Sequence, residues 1–244
     1  MTPLPQPNLG WNTYGKGIEN VGSDGRPEPL DVPITPGPDQ LLIRIDAVGL
    51  CFSDVKLVRQ GGDHPKLYGR DLRVEPTRLG HEATVTVIEV GSELADKYHA
   101  GQRLAIQPDI HVGGKATAYG YTIPGGLIQY HVIGSEVLDA DDGAYVIPVT
   151  DDLGYAAAAL SEPWACVEAS YTQRRRLTPL EGGTMWIVGS TDDATDYTFT
   201  TGLDAPDTIV LTDVSDHVKG LVAASNPGAT VIERNGLAVS DYRA

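Results

Sequence analysis

The texture of the chain changes near residue 150, and that change constrains the fold more than any other feature. Up to that point short apolar runs alternate with turn signals. DQLLIRIDAVGL (39–50) reads as a strand after a Pro/Gly-rich stretch, and HEATVTVIEVG (81–91) alternates at Thr84-Val85-Thr86-Val87 before ending in glycine. QRLAIQP (102–108), GLIQYHVI (126–133) and GAYVIPV (143–149) repeat the pattern. Short strands of this kind predict a mainly β first domain of barrel type. Beyond 150 the segment GYAAAALSEPWACVEASYTQRRRL (154–177) has helical spacing, with Pro163 suited to the first turn of a helix. GGTMWIVGS (182–190), DTIVLTDVS (207–215) and GATVIE (228–233) are continuous apolar strands, and DHVKGLVAAS between the last two is a short amphipathic helix. That alternation predicts a parallel α/β sheet. A domain boundary is therefore expected within 150–180, and we place it at 155, giving domains 1–155 and 156–244. A doubly wound nucleotide-binding sheet has two such halves, and only the first is read here.

Composition narrows the function. The 244 residues carry 33 acidic and 18 basic side chains, a net charge of −15. Nucleic acid and anionic lipid would be repelled by that charge and are excluded as main partners. No apolar run is long enough to span a bilayer. The start, MTPLPQPNLGWNTYGKG, lacks the apolar core of a secretory signal, so a cytoplasmic location is expected. With two cysteines only, Cys51 and Cys166, free thiols in a reducing compartment are the default.

Three short elements carry chemistry. They are Gly49-Leu50-Cys51-Phe52-Ser53-Asp54 just after a strand, Gly80-His81-Glu82 just before one, and Ser161-Glu162-Pro163 at a helix start. Cys, His and Glu are the ligand types of a catalytic zinc site that keeps one position open. Taken singly, each has an ordinary alternative: a buried small cysteine, a chance Gly-His-Glu, and turn or strand-end capping by Ser53 and Asp54.

Taken in order, and followed by Gly125-Gly126-Leu127-Ile128-Gln129-Tyr130, these elements resemble the zinc-dependent medium-chain alcohol and polyol dehydrogenases, in the sorbitol dehydrogenase-like branch. The resemblance implies a GroES-like β-barrel catalytic domain followed by an incomplete Rossmann-type parallel sheet. It implies zinc on Cys51, His81 and Glu162, with Glu82 contacting the metal directly or through water. Ser53 matches the hydroxyl that hands the substrate proton outward, and Asp54 the carboxylate that orients the histidine. The implied reaction is reversible hydride transfer between a nicotinamide and a secondary alcohol, polyol or sugar alcohol, phosphorylated or not. A fragment or remnant that binds zinc without holding dinucleotide is the alternative.

Two departures from the family pattern matter. Where relatives carry a four-cysteine loop, this chain reads Asp109-Ile110-His111-Val112-Gly113-Gly114-Lys115, so a second, structural zinc is not expected; His99, His111 and His131 fall to surface or packing roles. The dinucleotide turn reads Gly189-Ser190-Thr191-Asp192-Asp193-Ala194, with Thr191 in place of the middle glycine and two aspartates where phosphate should meet a helix N-terminus. Asp213, 24 positions after Gly189, is where a carboxylate holds ribose hydroxyls and disfavours a 2′-phosphate, so NAD is expected over NADP. Arg174-Arg175-Arg176 reads as a helix C-terminal cap or a phosphate contact. Lys66 and Arg70 read either as steering groups for an anionic substrate or as loop solvation. The apolar strands of the second half leave an open sheet edge, so a homo-oligomer is expected.

Overall fold

The structure, a computed structural model, describes residues 4, 6–172, 178–238 and 240–241, and the side chains of Tyr171 and Thr172 are not among those described. Arg174-Arg175-Arg176 lie outside the described residues. The chain divides into two compact units, Met1–Cys166 and Val167–Ala244. Among the described residues, no helix is long and apolar enough to cross a membrane.

In the first unit, β1 (Leu41–Gly49) leads through a short turn into α1 (Phe52–Gln60). Then follow β2 (Glu82–Val90), β3 (Arg103–Ile106), β4 (Tyr130–Ile133) and β5 (Val146–Pro148). These five strands form one antiparallel sheet in the order β4-β1-β2-β3-β5. The strands are those read from sequence, trimmed at their turns. Leu41, Ile43, Val85, Val87, Leu104 and Ile133 make a fully buried core on this sheet. A second cluster, with Leu57 of α1, Leu67, Leu72, Leu79 and Tyr121, anchors α1 and the segment after it. The helix α2 (Tyr155–Ala159) packs on β1 and β2 through Ala158 and Ala159.

The helix α3 (Ser161–Thr172) places Pro163 in its first turn, where its missing N–H costs nothing. The two units divide inside this helix, a little beyond the boundary placed at 155.

In the second unit, β6 (Thr184–Val188), β7 (Thr208–Thr212) and β8 (Thr230–Glu233) are parallel in that order, and α4 (Asp216–Ser225) connects β7 to β8. Val218 and Val222 of α4 close over Ile209 and Leu211. This is the Rossmann-type half-sheet expected from the apolar runs. One element differs: no helix follows β6, and residues 189–207 run to β7 as turns and irregular chain. With Thr191, Asp192 and Asp193 after Gly189, the segment offers side chains that bond their own backbone. Asp193 accepts from the Thr195 N–H at 2.9 Å and from the Tyr197 hydroxyl at 2.7 Å. Such local bonds compete with helix formation.

Candidate metal centre

Strand register sets up the site. In the β1–β2 ladder Gly49 lies opposite Glu82. A Cβ on Gly49 would fall 1.8 Å from a Glu82 carboxylate oxygen. Glycine at this position is what leaves room for the carboxylate beside the end of β1. On the other strand, Gly80 has φ +91° and turns the chain so that His81 and Glu82 enter β2; a Cβ there would also meet Val48 at 2.7 Å. The glycine pair read from sequence supports this corner by its backbone. Gly125 N–H donates to Arg78 O at 3.0 Å, and Gly126 N–H to Gly80 O at 2.8 Å.

Cys51 is the N-cap of α1, extended at φ −96°. Asp54, one turn in, accepts the Cys51 N–H at 2.8 Å and the Gly80 N–H at 3.3 Å. One buried carboxylate thus ties the helix start to the turn before β2. Its Oδ1 also stands 3.5 Å from His81 Nδ1, an ionic contact too long for a well-formed hydrogen bond. On the ring's other side, Ser53 Oγ lies 3.5 Å from His81 Nε2.

The result is a cluster in which a Cys51 sulfur, a His81 ring nitrogen and a Glu82 carboxylate oxygen all lie within 4.8 Å of one another. His81 and Glu82 are buried and Cys51 half-buried. Sulfur, imidazole and carboxylate in one such knot are a zinc donor set. Glu162 is not part of that knot, although its charge reaches both His81 and Glu82. It accepts from the Cys166 thiol at 3.6 Å, one helical turn away.

The titration of these groups is that of a site arranged for positive charge. Burial opposes protonation of His81, but the Asp54 carboxylate facing its Nδ1, and then Glu162, raise it to about 9. Burial pushes the Cys51 thiol up; hydrogen bonds involving Ser53, and then His81, outweigh this and bring it below its ordinary value. Burial likewise opposes ionisation of Asp54, and His81 and the Cys51 N–H more than compensate. Glu82 is raised, by burial first and by Glu162 and Asp54 after it. Without a metal the protonated His81 ring is the cation that balances these acids, and a metal held by the same ring would displace that proton.

Two residues that sequence reading did not single out complete the surroundings. The buried Tyr121 ring stacks against His81, centroids 5.7 Å apart, and its phenol interacts with the Ser53 hydroxyl. His64 stacks on Tyr121 at 5.1 Å. Neither lies in a motif, and only the folding of 61–72 and 118–127 against α1 brings them in. His99 and His111 are exposed, and His131 packs against Tyr119, whose hydroxyl lies 3.2 Å from its Nδ1. Among the described residues, no other group of three or more metal-ligating side chains forms.

In the second unit, a cavity of about 240 Å³ lies above the C-terminal ends of β6 and β7. Gly189, Ser190, Asp193, Tyr197, Phe199 and Ser215 are among the residues lining it. Crevices at these strand ends are where α/β sheets bind ligands. The buried Ser215 Oγ has no hydrogen-bond partner. Asp213, in a left-handed conformation at the end of β7, accepts the Gly236 N–H at 2.8 Å.

Residues 37–141 match the alcohol dehydrogenase GroES-like domain. That domain lies within the first unit, and the chain is similar in sequence to polyol dehydrogenases. It is 28% identical over 192 residues to a mannitol-1-phosphate 5-dehydrogenase of Aliivibrio fischeri, covering 73% of this chain and 44% of that one. It is 30% identical over 165 residues to a sorbitol dehydrogenase of Bacillus subtilis, covering 62% of this chain and 42% of that one. Among solved structures, galactitol-1-phosphate dehydrogenase from Escherichia coli superposes with a TM-score of 0.55 at 20% identity, over 92% of this chain and 60% of that one. The chain thus spans less than half the length of these two curated relatives.

Proposed function

We propose that the chain serves zinc-dependent oxidation of a secondary alcohol in a polyol or sugar alcohol, and the reverse reduction, with a nicotinamide as hydride partner. The convergence of Cys51, His81 and Glu82 within one 4.8 Å knot, behind a glycine that only their register requires, carries this reading. Cys51, His81 and Glu82 would hold the metal, with Glu162 completing or exchanging within the set. We take 1–155 as the metal-binding domain and 156–244 as the start of the nucleotide-binding one. Zinc bound there supplies Lewis acidity that lowers the pKa of the alcohol hydroxyl.

The chain's own residues do the rest. Asp54 holds His81 in orientation and keeps its Nδ1 side facing a carboxylate. Ser53 Oγ, between His81 and the Tyr121 phenol, accepts the proton that the alcohol gives up and gives it onward through its own hydroxyl. Exposed Leu50 and Phe52 and half-buried Cys51 leave the knot open to substrate.

The second unit fits a nucleotide in part. The cavity and the unpartnered Ser215 hydroxyl suit the ribose end, and Asp213 favours NAD over NADP. The pyrophosphate end fits poorly, because no helix begins after β6 and Asp193 lines the cavity. That misfit favours one second reading, a zinc-binding module that does not turn over. The deciding experiment is reduction of NAD or NADP by a panel of hexitols with zinc-loaded protein, followed by the absorbance of the reduced nicotinamide. Zinc binding without turnover by any hexitol and either nucleotide would leave the module reading standing.

A further inference from the structure

The cavity of the second unit has two kinds of wall. Val188, Val214 and Val218 belong to the sheet end and to α4. Asp193, Tyr197 and Phe199 belong to the irregular chain that stands where a helix would follow β6. Both ends of that chain are fixed. The Gly189 N–H donates to Thr212 O at 3.0 Å. Beyond Gly202, at φ +96°, Leu203 is buried in the core and its carbonyl accepts from Asn226 Nδ2 at 3.1 Å. Between these points residues 194–200 are exposed, and Tyr197 and Phe199 each remain 41% exposed although they line the cavity. Burial therefore holds the segment weakly.

Polar contacts hold it instead. Asp193 ties the segment to itself through the Thr195 N–H and the Tyr197 hydroxyl, and His217 ties it to α4. His217 Nε2 lies 2.9 Å from Tyr197 O and 3.2 Å from Asp196 Oδ1. Lys219, on the same helix, is committed to Asp216 at 3.6 Å and Glu233 at 3.1 Å. Under the segment, the buried Ser215 Oγ lacks a partner, an unmet need that a ligand reaching the cavity would relieve.

We propose that residues 190–201 form a strap that closes this cavity, with His217 as its latch, and that a nucleotide enters when the strap lifts. The entry step rests on the dehydrogenase reading; the strap and latch do not. Closed, the strap sets the Asp193 carboxylate at the strand ends, where it repels a pyrophosphate. Lifted about Gly189 and Gly202, it carries Asp193 away and uncovers Ser215. The latch contacts are at the surface, where each contributes little, so the lifted form stays within thermal reach. A ligand that binds the lifted form alone has its affinity lowered by the fraction lifted.

Two readouts on the full chain should therefore move together. Chymotrypsin cleavage after Tyr197 and Phe199 follows the fraction lifted when opening is fast relative to cleavage. Calorimetric titration with NAD follows the same fraction. His217→Ala should speed cleavage and tighten NAD by one common factor, about two- to ten-fold, the net contribution of one hydrogen bond. His217→Gln, whose amide N–H stands the same number of bonds from the backbone, should restore most of the wild-type behaviour. Lys219→Met should move neither readout. Unchanged cleavage in His217→Ala overturns the latch. Faster cleavage with unchanged NAD affinity overturns the strap as a closure of the cavity. Faster cleavage with no NAD binding by any variant keeps strap and latch and sinks the nucleotide reading.

Discussion

Strand β2 alternates threonine with valine, while β6 is apolar almost without a break, yet burial runs the other way. In β2 six consecutive residues, Glu82 to Val87, are buried. In β6 burial alternates, with Met185 and Ile187 half-covered and Trp186 and Val188 about half exposed. The first unit covers both faces of its central strands, so threonines go inside and their hydroxyls are partnered where the sheet provides it. Thr86 donates to Asp46 at 2.5 Å. The second unit covers one face with α4 and leaves Trp186, Val188 and Val231 on the other. Polarity along a strand reports what each face can tolerate; how many faces are covered depends on what else folds over them. The Cys51–His81–Glu82 knot belongs to the unit with covered faces, where packed neighbours can hold side chains in place.

That contrast can be broken most forcefully at the knot. Cys51→Ser should abolish tight zinc binding, a loss beyond the 10- to 100-fold that positioning residues cause, because a hydroxyl is a poor zinc ligand. Gly49→Ala should cost about 10-fold or more by driving the Glu82 carboxylate off its place opposite the glycine. Elemental analysis of chelator-treated, reloaded protein measures both. The wild-type chain should hold at most one zinc, and unchanged loading in Gly49→Ala would show that Glu82 takes no part.

The next effect is on packing. Leu104→Ala, in the fully buried core of the first unit, should destabilise by about 2–5 kcal/mol. Val188→Ala, on the open face of β6, should change stability by about 0.5 kcal/mol or less. Denaturant unfolding decides between this and a covered second face, which would make the two losses alike.

Sequence reading reached the first unit's strands and the Cys51, His81 and Glu82 elements because each sits at a strand end that turn residues mark. It gives Cys51, His81 and Glu162 as the ligand set, with Glu82 contacting the metal directly or through water; in the structure Glu82 lies with Cys51 and His81, and Glu162 is not one of that group of three. The register that sets Gly49 against Glu82 is a pairing between strands more than thirty residues apart, which no local pattern announces. Tyr121 and His64 were invisible for the same reason. In the second unit the three strands and α4 follow from apolar period and length. The missing helix after β6 does not, because Asp193 bonding to Thr195 and Tyr197 is a local competition that propensities average away.

A smaller effect would sharpen the comparison in the second unit. Thr191→Gly together with Asp193→Asn should tighten NAD by about ten-fold, from a starting affinity in the high-micromolar range or weaker. A restored backbone contact and a removed repulsion contribute about 1–3 kcal/mol between them. Fluorescence titration gives the constants. A wild-type constant in the low micromolar range would mean that the altered turn does no harm.

The smallest expected effect is acid sensitivity in the first unit, and its sign follows from His131. Burial first, and then the charge of Arg78, hold this imidazole down to about 3, against an ordinary value of 6.5. It is neutral in the fold with Tyr119 beside its Nδ1, while the unfolded chain takes up a proton below 6.5. At this residue the unfolded state therefore binds more protons between these two values, so its contribution is complete above 6.5 and drains away as pH falls toward 3, whereas that of His81 is complete below 6.5 and fades as pH rises toward 9. His64, lowered as well, adds to the same slope. Urea unfolding at pH 6, 5.5 and 5, below the range in which His81 contributes a slope, should show a steady fall in midpoint, and His131→Gln should flatten it.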